Sequence, residues 1–194
     1  MPGFTRVGIS ALVQGAGQIP IRGSRGGGRA GGGGGGGACR PHCHGRHAYK
    51  CASSTKDIDD TSYDGPWPDN WKVTVKTCAA RAGGTVYAYA EVRWDGASFY
   101  PVDDPTIFDG AKVRVQIKQS REGADPVVVE RDFPGLEARL EDGTAGGARS
   151  GIYRTATISH RAGPSALGDS VLFLDWHGDG RGYQRHDYTA SPTV

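Results

Sequence analysis

The sequence predicts an all-β protein: a single seven-stranded antiparallel β-sandwich preceded by a disordered Gly/Arg-rich N-terminal tail. Two observations lead to this prediction. Apolar residues alternate over 71–78 and 85–94, and a period of two is typical of half-buried strands. Glycine and basic residues concentrate upstream, because residues 1–37 hold 15 of the 32 Gly and residues 1–56 hold eight Lys or Arg and no acid.

Composition divides the chain into three predicted segments. Residues 1–56 should form a disordered tail, since glycine loses the most conformational entropy on folding and has no side chain to bury. An alternative is upstream sequence translated from a misassigned start codon. Residues 57–70 read as an acidic linker in which Trp67 packs onto the domain, and residues 71–190 read as the domain itself. The 17 Arg against 6 Lys indicate a GC-rich, bacterial genome.

Seven strands follow one another in the predicted domain. Their predicted bounds are 71–78, 85–94, 111–119, 126–133, 150–160, 170–176 and 182–189. Residues 95–110 form a long loop with turn signals at Asp95-Gly96 and Asp109-Gly110. In residues 134–149, Leu136 and Leu140 are four apart, which predicts one short helical turn.

This succession of short strands resembles an immunoglobulin-like or fibronectin-like sandwich. The resemblance covers residues 71–189 and is one of architecture alone. The immunoglobulin Cys–Trp–Cys pattern is absent, because Cys78 is the single cysteine of this region. No functional residue is therefore transferred from those families.

The clearest candidate ligand-binding residues lie on the second strand. Tyr87, Tyr89, Glu91 and Arg93 alternate with the apolar row from Val86 to Trp94, so they should face away from the core. Aromatic rings beside a carboxylate and a guanidinium suit a sugar or a protein surface. The alternative is ordinary cross-strand packing.

Two segments carry partial metal motifs. The run from Asp175 to Gly180 resembles a calcium loop through Asp175 and Asp179, but His177 stands where a hard oxygen is needed. A hairpin turn without a tight ion site is therefore expected. Cys39, Cys43, His47 and Cys51 form a Cys3His set with a spacing of four, which fits no zinc-finger spacing. A disulfide-linked segment is the alternative.

Together these features favour a non-catalytic protein without a cofactor. No G-x-S-x-G, P-loop or dinucleotide-binding motif occurs in the sequence. We expect an extracellular β-sandwich module that binds carbohydrate or protein or has a structural role. One alternative is a nucleic-acid-associated protein that uses only its basic tail for that contact; another is a small hydrolase, and a cytoplasmic location also remains open. No membrane span is expected, because no run approaches about 18 apolar residues.

Overall fold

A computed structural model describes residues 47–101, 105–142 and 149–194. These residues form nine strands and one helix. In chain order they are β1 (Lys50–Ile58), β2 (Trp71–Ala82), β3 (Thr85–Asp95), β4 (Phe108–Gln119), β5 (Val127–Phe133), α1 (Gly135–Glu141), β6 (Ser150–Arg154), β7 (Ile158–Arg161), β8 (Ala166–Trp176) and β9 (Gln184–Asp187). Across the described ranges, no helix is long and apolar enough to cross a bilayer.

The strands form two antiparallel sheets. Sheet A has the order β1-β2-β3-β6. Strand β7 also pairs with β3, along the same edge of β3 as β6. Sheet B has the order β5-β4-β8-β9. The two sheets pack around one hydrophobic cluster that draws residues from both of them. The prediction of an all-β fold with antiparallel strands is confirmed.

The β2–β3 hairpin forms as the sequence predicted, but β2 continues to Ala82 instead of ending at residue 78. A two-residue turn, Gly83-Gly84, joins the strands, and Gly83 has a φ of 58°. A left-handed residue in a two-residue hairpin matches the twist of the flanking strands, and glycine adopts it without a steric cost. Val75 and Val92 are cross-strand partners and both face the core.

The core lies between the inner faces of the two sheets. Val75 of β2, Val86 of β3 and Val115 of β4 are fully buried. A polar contact also crosses this interface, where the Thr77 hydroxyl donates to Ser170 Oγ at 2.8 Å. Helix α1 covers one end through Leu136 and Leu140, which are both buried. The predicted helical turn is therefore present, as a helix of seven residues.

Strand β1 is the largest departure from the sequence prediction. It lies where a disordered tail to residue 56 and a linker from residue 57 were expected, and both assignments are wrong over residues 50–58. The strand pairs with β2 from Lys50↔Ala79 to Ile58↔Trp71. Only Ile58 of its nine residues is buried, so the strand has no apolar period. The prediction of disorder for residues 1–46 falls outside the described residues.

The strand count also differs from the predicted seven. The predicted strand 150–160 is two strands, because Thr155 interrupts it and its hydroxyl accepts the Ala90 N–H at 3.0 Å. Strand β8 begins at Ala166 rather than residue 170. The resemblance to immunoglobulin-like sandwiches stops at two packed antiparallel sheets. There the third strand crosses to the second sheet, whereas β3 stays beside β2.

Removing β1 should destabilise the domain. A chain that begins at Asp57 loses most of this strand and Cys51, whereas a chain that begins at His47 keeps both. Loss of the disulfide alone costs about 2–4 kcal/mol, so we expect the melting midpoint of the shorter chain to fall by about 5–15 °C. Calorimetry of the two chains side by side measures this difference. Equal midpoints would contradict a stabilising role for β1.

Candidate functional site

The four candidate ligand-binding residues of β3 all lie on the outer face of sheet A. Their cross-strand partners on β2 are Ala80, Cys78, Lys76 and Thr74, in the order Tyr87, Tyr89, Glu91, Arg93. The outward orientation that alternation predicted is therefore observed. Glu91 and Arg93 form an ion pair with Oε1 and Nη2 2.9 Å apart, in which the arginine is largely exposed.

The two tyrosines are covered by the chain itself. The His47 ring stacks on Tyr87 with centroids 4.2 Å apart, and Tyr49 meets Tyr89 edge-on at 4.9 Å. The Arg154 guanidinium lies 4.0 Å from the centroid of Tyr89. Tyr89 is only 8% exposed as a result. A sugar ring stacks on these tyrosines only after residues 47–49 have moved away.

A disulfide joins β1 to β2 on the same outer face. Cys51 and Cys78 stand directly opposite each other in the β1–β2 register, and their sulfurs are bonded. A cysteine in a disulfide has no thiolate to give to zinc, so Cys51 does not belong to a zinc set in this structure. His47 is stacked on Tyr87, while Cys39 and Cys43 lie outside the described residues.

The predicted calcium residues lie in and beside the β8–β9 turn. The carboxylate of Asp179 accepts hydrogen bonds from the Arg181 N–H, at 2.8 Å, and from the side chains of Thr61 and Gln184. These bonds to the ionised form, first of all the one from Thr61, lower the pKa of Asp179. Gly178 and Gly180 have positive φ, as a tight turn requires. Asp179 thus stabilises a turn through both of its oxygens.

Asp175 is not oriented by a comparable set of donors. Burial raises the pKa of Asp175, and the carboxylates of Asp109 and Asp179 raise it further. Asp109 itself bonds His177 Nδ1 at 2.7 Å, and this bond lowers its pKa. Across the described part of the chain, no group of three or more His, Cys, Asp or Glu side chains is arranged to hold a metal ion.

A second surface, which the sequence analysis did not identify as a site, lies on the loop between β1 and β2. Asp60 anchors this loop: it is 1% exposed, accepts from Ser62 N at 2.8 Å and Ser62 Oγ at 2.6 Å, and is bonded by the Tyr100 hydroxyl. Thr61 adds the bond to Asp179 and accepts from Gln184 Nε2 at 2.7 Å. The loop is therefore tied at its start to two other loops of the domain.

Trp67 is the most exposed large apolar side chain of the described residues, at 66%. The expectation that it packs onto the domain is wrong. Pro66 and Pro68 restrict the backbone on both sides of Trp67. The backbone N–H of Trp67 donates to the Tyr63 hydroxyl, and the nitrogen and oxygen are 3.4 Å apart. The Tyr63 ring stacks on Phe99 with centroids 4.3 Å apart, and both rings are half-buried. We name these three residues, Tyr63, Trp67 and Phe99, the Trp67 surface.

Comparisons with protein-family models, with characterised proteins and with solved structures give no match for this chain. Its own residues therefore have to support any functional assignment.

Calcium should not stabilise the protein. Asp179 already uses its oxygens within the turn, and His177 offers nitrogen to a hard cation. Calcium at 100 times the Kd of a site would add about 2.7 kcal/mol to the free energy of unfolding, so about 1 mM calcium would reveal a tight site with a Kd of about 10 μM or below. We therefore expect the melting midpoint to be the same in a chelator and in about 1 mM calcium, a concentration near the Kd of weak extracellular sites. A rise of several degrees that Asp179→Ala abolishes would contradict this expectation.

The disulfide should hold residues 47–49 over the tyrosines. In a Cys51→Ser/Cys78→Ser variant we expect a loss of about 2–4 kcal/mol of unfolding free energy. We also expect faster nitration of Tyr87 and Tyr89 by tetranitromethane, mapped by mass spectrometry. Tyr183, which is exposed, is the internal reference, and Ser53→Ala on the same strand is the control variant. Unchanged nitration in the folded double variant would show that the cover does not depend on this bond.

Proposed function

We propose that this chain is an extracellular, non-catalytic β-sandwich module that binds a protein or carbohydrate ligand through the Trp67 surface. The observation that carries the proposal is the two-thirds exposure of Trp67 on a loop anchored at Asp60 and Thr61. Removal of an exposed indole ring from water is favourable, and for Trp67 it requires a partner that covers the ring. Tryptophan is also enriched among the residues that dominate binding energy at interfaces.

The anchoring of the loop supports a binding role over a merely solvent-exposed side chain. A loop that is already held in place loses little conformational entropy when a ligand binds, so more of the contact energy appears as affinity. Binding residues commonly lie on loops that a rigid scaffold positions. Here the scaffold is the pair of sheets, and the anchors reach Tyr100 and the β8–β9 turn.

The Cys51–Cys78 bond supports the extracellular location. Structural disulfides persist in oxidising compartments and are rare in the cytosol. The bond joins neighbouring strands in register, which fits a structural disulfide. If Cys51 and Cys78 were found as free thiols in protein taken from its natural source, the extracellular part of the proposal would be wrong.

The experiment that tests binding uses arrays of oligosaccharides and of peptides. We expect the wild-type protein to bind a subset of probes, and Trp67→Ala to weaken that binding by about 10-fold or more, which is the loss of an interface residue worth over 1.4 kcal/mol. Tyr183→Ala removes an exposed aromatic side chain that contacts Phe173 and Lys112 instead of the Trp67 surface, and it should leave binding intact. The proposal fails if no probe binds, or if Trp67→Ala binds as the wild type does.

A further inference from the structure

We infer that the ligand of the Trp67 surface is a cationic peptide segment, whose arginine or lysine side chains contact the Trp67 indole and the carboxylates of the same loop. This inference rests on the proposed binding role of Trp67 and names the chemical class of its partner. Three features of the loop lead to it: the charge of its side chains, the pairing of its acids and the nature of its exposed aromatic ring.

The loop carries charge of one sign. Residues 59–70 contain four Asp and no Lys, Arg or His. Asp60 is buried and is used inside the loop. Asp59 and Asp64 are exposed and Asp69 is half-buried. A loop with three carboxylates that are accessible to solvent and no basic side chain of its own favours a negative potential, which attracts cations and steers them towards it.

These three carboxylates are not neutralised by the domain. No ion pair or side-chain hydrogen bond within the described ranges engages Asp59, Asp64 or Asp69, which are accessible to solvent. The acids on the outer face of sheet B behave differently. There Asp132 forms ion pairs with Arg114 at 2.6 Å and with Lys112 at 2.9 Å, and Asp169 forms an ion pair with Lys118. Basic side chains of sheet B thus pair Asp132 and Asp169, whereas the three outer acids of this loop remain available to a partner.

The exposed ring is the aromatic type that binds cations best. The face of an indole attracts ammonium and guanidinium groups more strongly than the ring of Tyr or Phe does. Such a contact contributes about 0.5–1 kcal/mol at an exposed site and about 2 kcal/mol when the pair is desolvated. A neutral sugar also stacks on tryptophan and donates its hydroxyls to carboxylates, but it brings no positive charge to balance three carboxylates on one loop. Arginine gains from both, since its guanidinium stacks on the ring and forks towards carboxylate oxygens.

A peptide fits this surface better than a small free cation does. The internal apolar cavity of the domain, lined by Trp71, Leu136 and Leu172 among others, has room for about one water molecule. The Trp67 surface, in contrast, is open to solvent. An open surface encloses a small cation poorly, whereas a chain with several basic side chains contacts the ring and more than one carboxylate at once.

Tryptophan fluorescence gives a direct readout of this contact. The protein has four tryptophans, and Trp71, Trp94 and Trp176 are 1%, 4% and 0% exposed. Acrylamide in solution therefore quenches chiefly Trp67. We expect a short peptide of alternating arginine and glycine to protect this fluorescence from acrylamide, while a peptide of alternating glutamate and glycine and a neutral β-linked glucose oligosaccharide do not.

Matched variants test the two parts of the contact. Asp64→Asn and Glu122→Gln each remove one exposed negative charge, and the second lies on the turn before β5. We expect Asp64→Asn to weaken binding of the arginine peptide by about 3- to 5-fold at low salt, and Glu122→Gln to leave it unchanged. By calorimetric titration, Trp67→Ala should weaken it by about 5- to 30-fold. Thermal melts confirm that each variant is folded.

The outcomes separate this inference from the proposed function. If the oligosaccharide protects Trp67 and the arginine peptide does not, the cationic ligand is wrong and the binding role of Trp67 stands. If neither probe protects Trp67, the cationic ligand is also wrong, and the array experiment decides the binding role. Peptide binding that is the same in Asp64→Asn and Glu122→Gln contradicts the role of the loop carboxylates. Peptide binding that Trp67→Ala leaves unchanged overturns both proposals.

Discussion

The burial of alternate side chains between the two sheets is the interaction on which the rest of the structure depends. Val75 of β2, Val86 of β3, Val115 of β4 and Leu172 of β8 are at most 1% exposed. Each contributes about 1.5–3 kcal/mol relative to an exposed side chain. The loops at the sheet ends, including the one that carries Trp67, are positioned only because these four long strands are fixed against each other.

Sequence periodicity identified the strands whose alternate side chains are buried between the two sheets. It missed β1, whose side chains are mostly exposed. β2, β3 and β4 each have one apolar face, so alternation located all three. β1 is attached by backbone pairing and by Cys51 to an existing sheet edge, and only Ile58 is buried. No local pattern marks such a strand. The pairing of Cys51 with Cys78 could not be predicted from the sequence either, because it depends on the register between β1 and β2.

The candidate site shows the same limit. Alternation predicted that Tyr87 and Tyr89 face outwards, and they do, but it could not reveal that His47 and Tyr49 cover them. That contact joins segments about 40 residues apart, which only the folded chain brings together. The exposure of Trp67 was hidden for a related reason. Proline-flanked tryptophan has the same local sequence whether it is packed or presented to solvent.

The position of the β1–β2 disulfide makes oxidation a check on correct strand pairing during folding. Side chains alternate between the faces of a sheet, so a one-residue slip of β1 would turn Cys51 towards the core while Cys78 stayed on the outside. The two sulfurs could not then bond. A polar edge strand such as β1 has little burial to fix its register, and slipped pairings are close in energy. Bond formation removes the correctly aligned chains from that exchange, so misaligned chains keep free thiols and stay open to further rearrangement.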